Sequence, residues 1–342
     1  MTGAGLSHRR AIIVGAGQAG LAVAAALIAE GLRPQQDFVV IDAAPEGHRS
    51  WASRWHSMVL LSDARRSGLP VQPVPGDRRR HPRADEILDY LEGVQAGLGV
   101  KPVWGVRALD VRYRGSGTAL ILATTEGEIQ TRNIVCATGA AARPRLPEWA
   151  AKLKPPGLVI HSSDYHFPRQ VPAGDVLIVG GGNSGCELAR ELAGSHTVTL
   201  ATRTPRRHRP VARYPSGPPG LFAGATREQP PEPVFGDSYQ DLRRSGITLA
   251  PAVTGTDGAT VTFAGAAGPA RVGSVILATG YEPGDDWLPE DVRTERSRRA
   301  LTALPGLFVA GFPAYSSRRN TNTLAGVWRD AAAIARHIIN RP

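Results

Sequence analysis

Two glycine-rich loops constrain the fold of this chain more than any other feature. The first is "AIIVGAGQAG", Ala11 to Gly20, and 165 residues later the pattern returns as "VLIVGGGNSG", Val176 to Gly185. In each copy a short apolar run meets a Gly-x-Gly-x-x-Gly spacing and continues into a helical pattern rich in alanine and leucine. A strand, a tight turn and a helix in this order are typical of the dinucleotide-binding βαβ unit.

Each glycine of such a loop has its own role. The first permits the sharp turn, the second lets a pyrophosphate approach the backbone, and the third lets the helix pack against the strand. The phosphates then lie at the N-terminus of the helix. The three glycines are Gly15, Gly17 and Gly20 in the first loop and Gly180, Gly182 and Gly185 in the second. A single copy would also fit a merely glycine-rich turn, but two copies in matching contexts favour nucleotide binding.

The strand after each loop bears on which nucleotide binds. After the first loop, "FVVID" is typical of a buried parallel strand and ends at Asp42, where an acid binds an unmodified adenosine ribose. After the second loop, "TVTLATR" ends in Thr202 and Arg203, without an acid. Guanidinium groups bind a 2′-phosphate through charge-assisted hydrogen bonds, whereas a carboxylate would repel it. The pattern favours NADPH there, and ordinary surface arginines remain the alternative.

The overall charge does not indicate a nucleic-acid partner. The formal net charge is +10 and the pI is near 10.3, but the arginines are scattered through loops and only three lysines occur. No nucleic-acid recognition motif accompanies them. No apolar run is long enough to span a bilayer and no signal region is visible, so we expect a soluble cytoplasmic protein without a membrane partner.

Chemistry carried by cysteines or a metal is not indicated either. Cys136 and Cys186 form no Cys-x-x-Cys pair, and both are expected to be small packed hydrophobes. No Ser-His-Asp or metal-ligand pattern is convincing, so we expect no metal. None is required where bound cofactors carry the difficult chemistry.

At 342 residues the chain is long enough for two domains with separate cores. We predict an α/β fold of two Rossmann-like dinucleotide-binding domains, the second inserted into the first. The expected boundaries are 1–160 for the first domain, 161–274 for the inserted domain and 275–342 for the return to the first. "WGVRALDVRYRG" and "ALILATTEGEIQTRNIVCATG" predict hairpin strands that close a sheet, and "GVWRDAAAIARHII" predicts the helix that completes the first domain.

Residues 204–237 differ from the rest of the chain. They are rich in Pro, Arg and Gly and lack a periodic apolar pattern. A long irregular connection inside a compact enzyme is either functional or disordered. Two interpretations stay open, a loop over the mouth of an active site and a disordered connection.

Four features together resemble the two-dinucleotide flavoproteins, and among them the class B flavin-dependent monooxygenases and their CzcO-like relatives. They are "GAGQAGLA", "GGGNSG", the pair "CATGAAARPRLP" and "ILATGYEP", and "GLVIHSSDYHFP". The last is similar to the family fingerprint Phe-x-Gly-x-x-x-His-x-x-x-Phe/Tyr, with Gly157, His161 and Tyr165 in place. The resemblance covers nearly the whole chain and implies FAD at the first loop and NADPH at the second.

Together with the two loops, the resemblance implies a set of site residues. The FAD residues are Gly15, Gly17, Gln18, Gly20, Asp42, Trp51, Gly139 and Gly311, and the NADPH residues are Gly180, Gly182, Asn183, Ser184, Gly185, Arg203 and Gly280. "SWASRWHSMVLLSDARRSGLP" looks like the stretch beside the flavin ring, which makes Arg54 and Trp55 candidates for a catalytic role, and His161 of the family fingerprint is the third candidate. For His161 a structural role is the alternative, and Trp328 is either a core residue or a neighbour of the ring.

This chain also departs from the family pattern. Pro155 replaces the first Phe of the fingerprint, and "EGHRS" replaces the Gly-Gly that usually precedes a residue like Trp51. Baeyer–Villiger enzymes carry Trp where Tyr165 stands, so ketone insertion is less favoured. By register, Leu61 occupies the position at which the nitrogen- and sulfur-oxidising members of the family carry an asparagine. Because that asparagine is missing, their mechanism is not carried over to this chain.

The resemblance implies a monooxygenase in which NADPH reduces FAD, and a flavin C4a-(hydro)peroxide then transfers one oxygen atom of O2 to a small organic substrate. A cysteine-free reductase of the thioredoxin-reductase type, passing electrons to a ferredoxin-like protein or a quinone, fits the two loops equally well. A noncatalytic FAD-binding redox sensor is the third hypothesis. The sequence leaves open the substrate, the oxygenated atom and a homodimeric state.

Overall fold

The computed structural model describes residues 3–113, 119–204, 206–211, 233–265, 268–295, 300–316 and 320–341. The helices are α1 Gly3–Leu6, α2 Gln18–Ala29, α3 Ala84–Gly97, α4 Asn183–Leu192, α5 Tyr239–Arg244, α6 Glu290–Glu295 and α7 Trp328–Asn340. The strands are β1 Ala11–Val14, β2 Phe38–Asp42, β3 Val103–Trp104, β4 Ala108–Tyr113, β5 Leu120–Thr124, β6 Gly127–Thr131, β7 Asn133–Cys136, β8 Arg143–Pro144, β9 Val159–His161, β10 Asp175–Val179, β11 Thr197–Ala201, β12 His208–Arg209, β13 Val234–Phe235, β14 Thr248–Ala250, β15 Val253–Asp257, β16 Thr260–Phe263, β17 Ala270–Arg271, β18 Ser274–Leu277, β19 Tyr281–Glu282 and β20 Leu307–Val309.

The chain forms two compact units, and each is discontinuous in sequence. Unit 1 contains Met1–Ala52, Asp63–Arg143 and Glu282–Pro342, and unit 2 contains Ser53–Ser62 and Pro144–Tyr281. The predicted α/β class with one dinucleotide-binding unit inserted into another is confirmed.

Each unit is built on a five-stranded parallel sheet, and the two sheets have the same plan. The order is β20-β7-β1-β2-β3 in unit 1 and β9-β18-β10-β11-β14 in unit 2. The strand before each glycine-rich loop therefore lies at the centre, where both faces are covered, and β1 is fully buried. Helix α2 packs against α7 in unit 1, so the last predicted helix does complete this unit.

The structure corrects the expected boundary near residue 275. Strand β18 was expected to return to the first domain, but it pairs in parallel with β10 and β9 of unit 2. The long segment of unit 2 accordingly runs from Pro144 to Tyr281, and it includes β9 at 159–161 as the edge strand of the sheet. Strand β20 does belong to the sheet of unit 1, as expected.

The predicted hairpin strands are confirmed as antiparallel neighbours. Strands β4, β5 and β6 form an antiparallel sheet of their own. Strand β7, which follows directly in the chain, instead joins the parallel sheet of unit 1. The reason lies in the side-chain pattern. Strands β5 and β6 alternate between buried and less buried residues, as in a sheet with one covered face, whereas β7 is buried throughout.

The short segment Ser53–Ser62 belongs to unit 2, although the chain on both sides of it belongs to unit 1. Trp55 accounts for this placement. Its side chain is 4% exposed and lies in the hydrophobic core of unit 2 with Tyr165, Leu188 and Ile276. Burying an indole removes a large apolar area from water, so Trp55 fixes the segment to this core.

Candidate dinucleotide-binding sites

The first glycine-rich loop has the geometry that its spacing predicts. Gly15 has φ +115°, a conformation that residues with a side chain rarely adopt. Its N–H donates to the Ile41 carbonyl at 2.7 Å. A Cβ on Gly20 would overlap the Gly15 carbonyl oxygen, so the helix could not approach the strand with any other residue there. A Cβ on Gly17 would meet no protein atom within 4 Å. The second glycine therefore faces open space, and the loop fits a nucleotide pyrophosphate.

Asp42 lies at the end of β2 and braces this loop. Its carboxylate accepts hydrogen bonds from the N–H of Ala16 at 2.6 Å and from the N–H of Ala44 at 2.8 Å. Two backbone donors fix the orientation of the carboxylate. An ionised carboxyl group accepts about four hydrogen bonds, so acceptor sites remain for ribose hydroxyls.

The structure brings several other predicted FAD residues to the same loop. Trp51 Nε1 donates to Gln18 Oε1 at 3.2 Å, and Gln18 Nε2 donates to the Asn322 carbonyl at 2.6 Å. A Cβ on Gly311 would lie 2.8 Å from the Cβ of Ala19 in α2, whereas a Cβ on Gly139 would meet no atom within 4 Å. Trp51 and Gly311 thus contact the helix that begins at the first loop. Trp328 is half-buried.

The second glycine-rich loop repeats the first. Gly180 has φ +123°, its N–H donates to the Ala201 carbonyl at 2.8 Å, and a Cβ on Gly185 would overlap the Gly180 carbonyl oxygen. A Cβ on Gly182 would lie 3.5 Å from the Arg206 guanidinium, an ordinary contact distance. The second loop therefore also accommodates a pyrophosphate, with an arginine beside it.

Strand register identifies the second-loop equivalent of Asp42. Val14 pairs with Ile41, the residue before Asp42, and at the same place in unit 2 Val179 pairs with Ala201. The equivalent of Asp42 is therefore Thr202, which carries no charge. Arg203 follows it and is exposed, so its guanidinium is accessible to a ligand.

Asn183 and Ser184 begin helix α4 directly after Gly182. Asn183 Oδ1 accepts a hydrogen bond of 2.8 Å from the N–H of Phe235. The described ends of the irregular connection are held close to this loop, since β12 pairs in parallel with β13. Of the segment 204–237, residues 205 and 212–232 lie outside the described residues, and so does the interpretation of the segment as a loop over the active site.

His161 is buried and both of its ring nitrogens have partners. Nδ1 accepts from the N–H of Ser163 at 3.1 Å, and Nε2 donates to the Gly280 carbonyl at 3.1 Å. This pattern assigns the neutral ring with the proton on Nε2. Burial lowers the pKa of His161, in agreement with that form. The neutral imidazole connects β9 to the turn after β18.

Arg54 and Tyr281 lie on the same side of unit 2 as His161. Arg54 donates to the Tyr281 hydroxyl at 3.2 Å and its guanidinium lies 5.6 Å from the centre of that ring. The Tyr281 ring meets the His161 ring edge-on, with centroids 5.0 Å apart. Of the three candidate catalytic residues, Arg54 and His161 thus meet at Tyr281, whereas Trp55 is a core residue.

Glu191 is a residue that sequence motifs did not indicate. Its carboxylate accepts from the buried Tyr165 hydroxyl at 3.0 Å and from Ser57 Oγ at 2.8 Å. It thereby connects the fingerprint tyrosine to the segment Ser53–Ser62. In the sequence Glu191 is only an acidic residue on the polar face of a predicted helix. Such residues are common on exposed helices, so nothing in the sequence indicated its role.

Both cysteines are buried and free. Burial raises the pKa of the Cys136 and Cys186 thiols to about 12, so neither is a thiolate at neutral pH. The interpretation of both as packed hydrophobes is confirmed. Within the described ranges, no group of three or more His, Cys, Asp and Glu side chains could hold a metal ion, and no helix is long and apolar enough to cross a bilayer.

The comparisons with known proteins concern most of the chain. The family model for pyridine nucleotide-disulphide oxidoreductases matches residues 12–216. An uncharacterized oxidoreductase CzcO of Bacillus velezensis is 28% identical over 351 residues, covering 96% of this chain and 98% of that protein. An indole-3-pyruvate monooxygenase of Oryza sativa is 33% identical over 184 residues, covering 53% of this chain and 44% of that protein.

A similar fold occurs in a flavin-containing monooxygenase from Stenotrophomonas maltophilia. The two chains superpose with a TM-score of 0.77 at 23% identity, covering 96% of this chain and 97% of the other. At this identity the likeness concerns the fold alone. The matched part of this chain includes residues of both units.

Proposed function

Because the chain belongs to the pyridine nucleotide-disulphide oxidoreductase family, we propose that it is an NADPH-dependent flavin monooxygenase that transfers one oxygen atom of O2 to a small organic substrate. It is an oxidoreductase that uses a flavin and a nicotinamide nucleotide, and the resemblance to class B flavin monooxygenases and CzcO-like flavoproteins is confirmed. The proposal specifies FAD at the first loop and NADPH at the second.

One observation carries the choice of a monooxygenase, namely the 33% identity to an indole-3-pyruvate monooxygenase over about half of the chain. The competing electron-transferring reductase has less support. The absence of a reactive thiol does not separate the two, since a cysteine-free reductase would pass electrons directly to an acceptor. Measurements on the oxygen reaction separate them.

We assign the following roles to the residues of the chain. FAD held at the first loop would supply the redox chemistry between the reduced coenzyme and O2. The first loop and Asp42 bind the pyrophosphate and the adenosine ribose, and the bond from Trp51 to Gln18 orients the indole beside the loop. His161 orients Gly280 and does not transfer a proton to or from a ligand, because its Nε2 proton is donated to the Gly280 carbonyl and its Nδ1 accepts from the N–H of Ser163.

Arg203→Ala is expected to weaken NADPH binding by about 1.5–3 kcal/mol and NADH binding by much less, because one charged hydrogen-bond partner of the 2′-phosphate is lost. The measurement is the Michaelis constant of each coenzyme in the reduction of the flavin. Arg271→Ala, which removes another exposed arginine of unit 2, is the matched control and should change neither value. A parent enzyme that prefers NADH, or equal losses for both coenzymes in Arg203→Ala, would exclude a 2′-phosphate contact.

The proposed function is tested by substrate-dependent consumption of NADPH and O2 across a panel of amines, sulfides and carbonyl compounds. A monooxygenase should consume O2 and NADPH in equal amounts, form a product heavier by one oxygen atom, and release little hydrogen peroxide with its substrate. Rapid reduction of a ferredoxin or a quinone, with no oxygenated product from any compound, would reject the proposal in favour of the reductase.

A further inference from the structure

The residue between the first two glycines is held in the same way in both loops. This residue is Ala16 in the first loop and Gly181 in the second. The Ala16 carbonyl accepts a hydrogen bond of 2.9 Å from Arg49 Nε, and the Gly181 carbonyl accepts one of 2.7 Å from the Tyr239 hydroxyl. Each donor lies outside its loop, and the two donors share neither a sequence motif nor a residue type.

This carbonyl controls the direction of the next N–H group. A peptide unit is planar and trans, so the C=O of Ala16 and the N–H of Gly17 point in opposite directions across one rigid plane. A donor that fixes the carbonyl therefore also fixes the N–H of the second glycine. That glycine is the one whose outer side is open in the first loop, and it is the one a pyrophosphate approaches.

Arg49 is placed to hold the first loop firmly. It is 5% exposed, its guanidinium lies 5.1 Å from the centre of the Trp104 ring, and it donates to Gln95 of helix α3. Glu92 of the same helix lies 3.9 Å away. Burial lowers the pKa of Arg49, which reflects the desolvation of the cation.

Tyr239 is placed equally firmly in unit 2. It begins helix α5, whose N-cap residue Ser238 accepts from the N–H of Asp241. Four residues earlier, the N–H of Phe235 donates to Asn183 of the second loop. The stretch from Phe235 to Tyr239 thus attaches to the second loop at two points. The Tyr239 hydroxyl also accepts a hydrogen bond of 3.4 Å from the N–H of Arg206.

We propose that Arg49 and Tyr239 are positioning residues that aim the N–H of the second glycine at a bound pyrophosphate, Arg49 for the flavin nucleotide and Tyr239 for the nicotinamide nucleotide. The assignment of each nucleotide to its loop rests on the proposed function. Because the two donors belong to different units, the affinities for the two nucleotides change independently of each other. Neither side chain is required to touch its nucleotide.

The test measures both nucleotides in each variant, so that each variant is the control for the other. Arg49→Met should raise the dissociation constant of FAD about tenfold or more, since a bond from a charged donor is lost, and leave that of NADP⁺ within about twofold. Tyr239→Phe should raise the dissociation constant of NADP⁺ by about fivefold and leave FAD unchanged. FAD is followed by its release from the holoprotein, NADP⁺ by calorimetric titration, and the fold by thermal unfolding.

Arg49→Lys is the second variant, and it provides the test in case Arg49→Met does not fold. A lysine keeps the positive charge near Trp104 but has no Nε–H group to hold the Ala16 carbonyl, so it should fold and still bind FAD several-fold more weakly. Parent affinity in Arg49→Lys, unchanged affinities in Arg49→Met or Tyr239→Phe, or equal losses for both nucleotides would overturn the inference. A parent protein that binds neither nucleotide would instead overturn the proposed function on which it rests.

Discussion

Gly17→Val is expected to abolish FAD binding while the protein remains folded. The backbone at Gly17 is extended, with φ −76° and ψ −170°, so a valine is not strained there, and a Cβ would meet no protein atom within 4 Å. The added methyl groups would occupy the space through which the pyrophosphate approaches the loop. We expect the affinity for FAD to fall at least ~100-fold, or ~3 kcal/mol. Flavin absorbance per protein and the thermal unfolding temperature measure the two effects.

Two further glycines provide the comparison. Gly182→Val should remove the nicotinamide nucleotide and retain the flavin, whereas Gly20→Val should destabilise the protein itself, because its Cβ would overlap the Gly15 carbonyl. Stoichiometric FAD in Gly17→Val would show that the first loop does not bind the pyrophosphate.

The second large effect concerns Glu187, which lies in α4 one turn from the second loop. Burial raises the pKa of its carboxyl from 4.5 to about 7. The folded protein therefore binds a proton that the unfolded chain releases, so the stabilisation is complete below pH 4.5 and is lost as the pH rises to about 7. Since one pKa unit corresponds to about 1.4 kcal/mol, the loss is at most about 3.5 kcal/mol.

Glu187→Gln should remove this part of the pH dependence, because an amide stays neutral throughout. Urea unfolding of the parent and the variant at several values between pH 4.5 and pH 8 measures the difference. Glu126→Gln, at an exposed turn, is the control and should leave the profile of the parent unchanged. Parallel profiles for Glu187→Gln and the parent would mean that the carboxyl is ionised in the folded protein without cost.

The two loops could be predicted from the sequence because their geometry is local. Strand, turn and helix follow within ten residues, and the glycines are required by contacts inside the loop, such as that of Gly20 with the Gly15 carbonyl. Strand β18 could not be assigned in this way. A strand in a parallel sheet is buried on both faces, so its apolar run does not reveal which of two parallel sheets it joins.

The side chains that support the loops were missed for a related reason. Arg49 is 33 residues from the carbonyl that it holds, and Tyr239 is 58 residues from its own. An arginine in a turn and a tyrosine at a helix start are common and carry no spacing signal. Glu191 and Trp55 likewise gain their roles only when Ser53–Ser62 reaches unit 2.

The division of the chain has a consequence for folding during synthesis. The polypeptide passes between the two units four times, so neither unit is encoded by one continuous stretch. Trp55 emerges from the ribosome long before the strands of the core that it joins, and the sheet of unit 1 lacks β20 until residue 309 has been made. Domains that fold one after another from the N-terminus avoid such a delay. Here each parallel sheet is complete only after a late strand has been made, β18 at Ser274–Leu277 in unit 2 and β20 at Leu307–Val309 in unit 1.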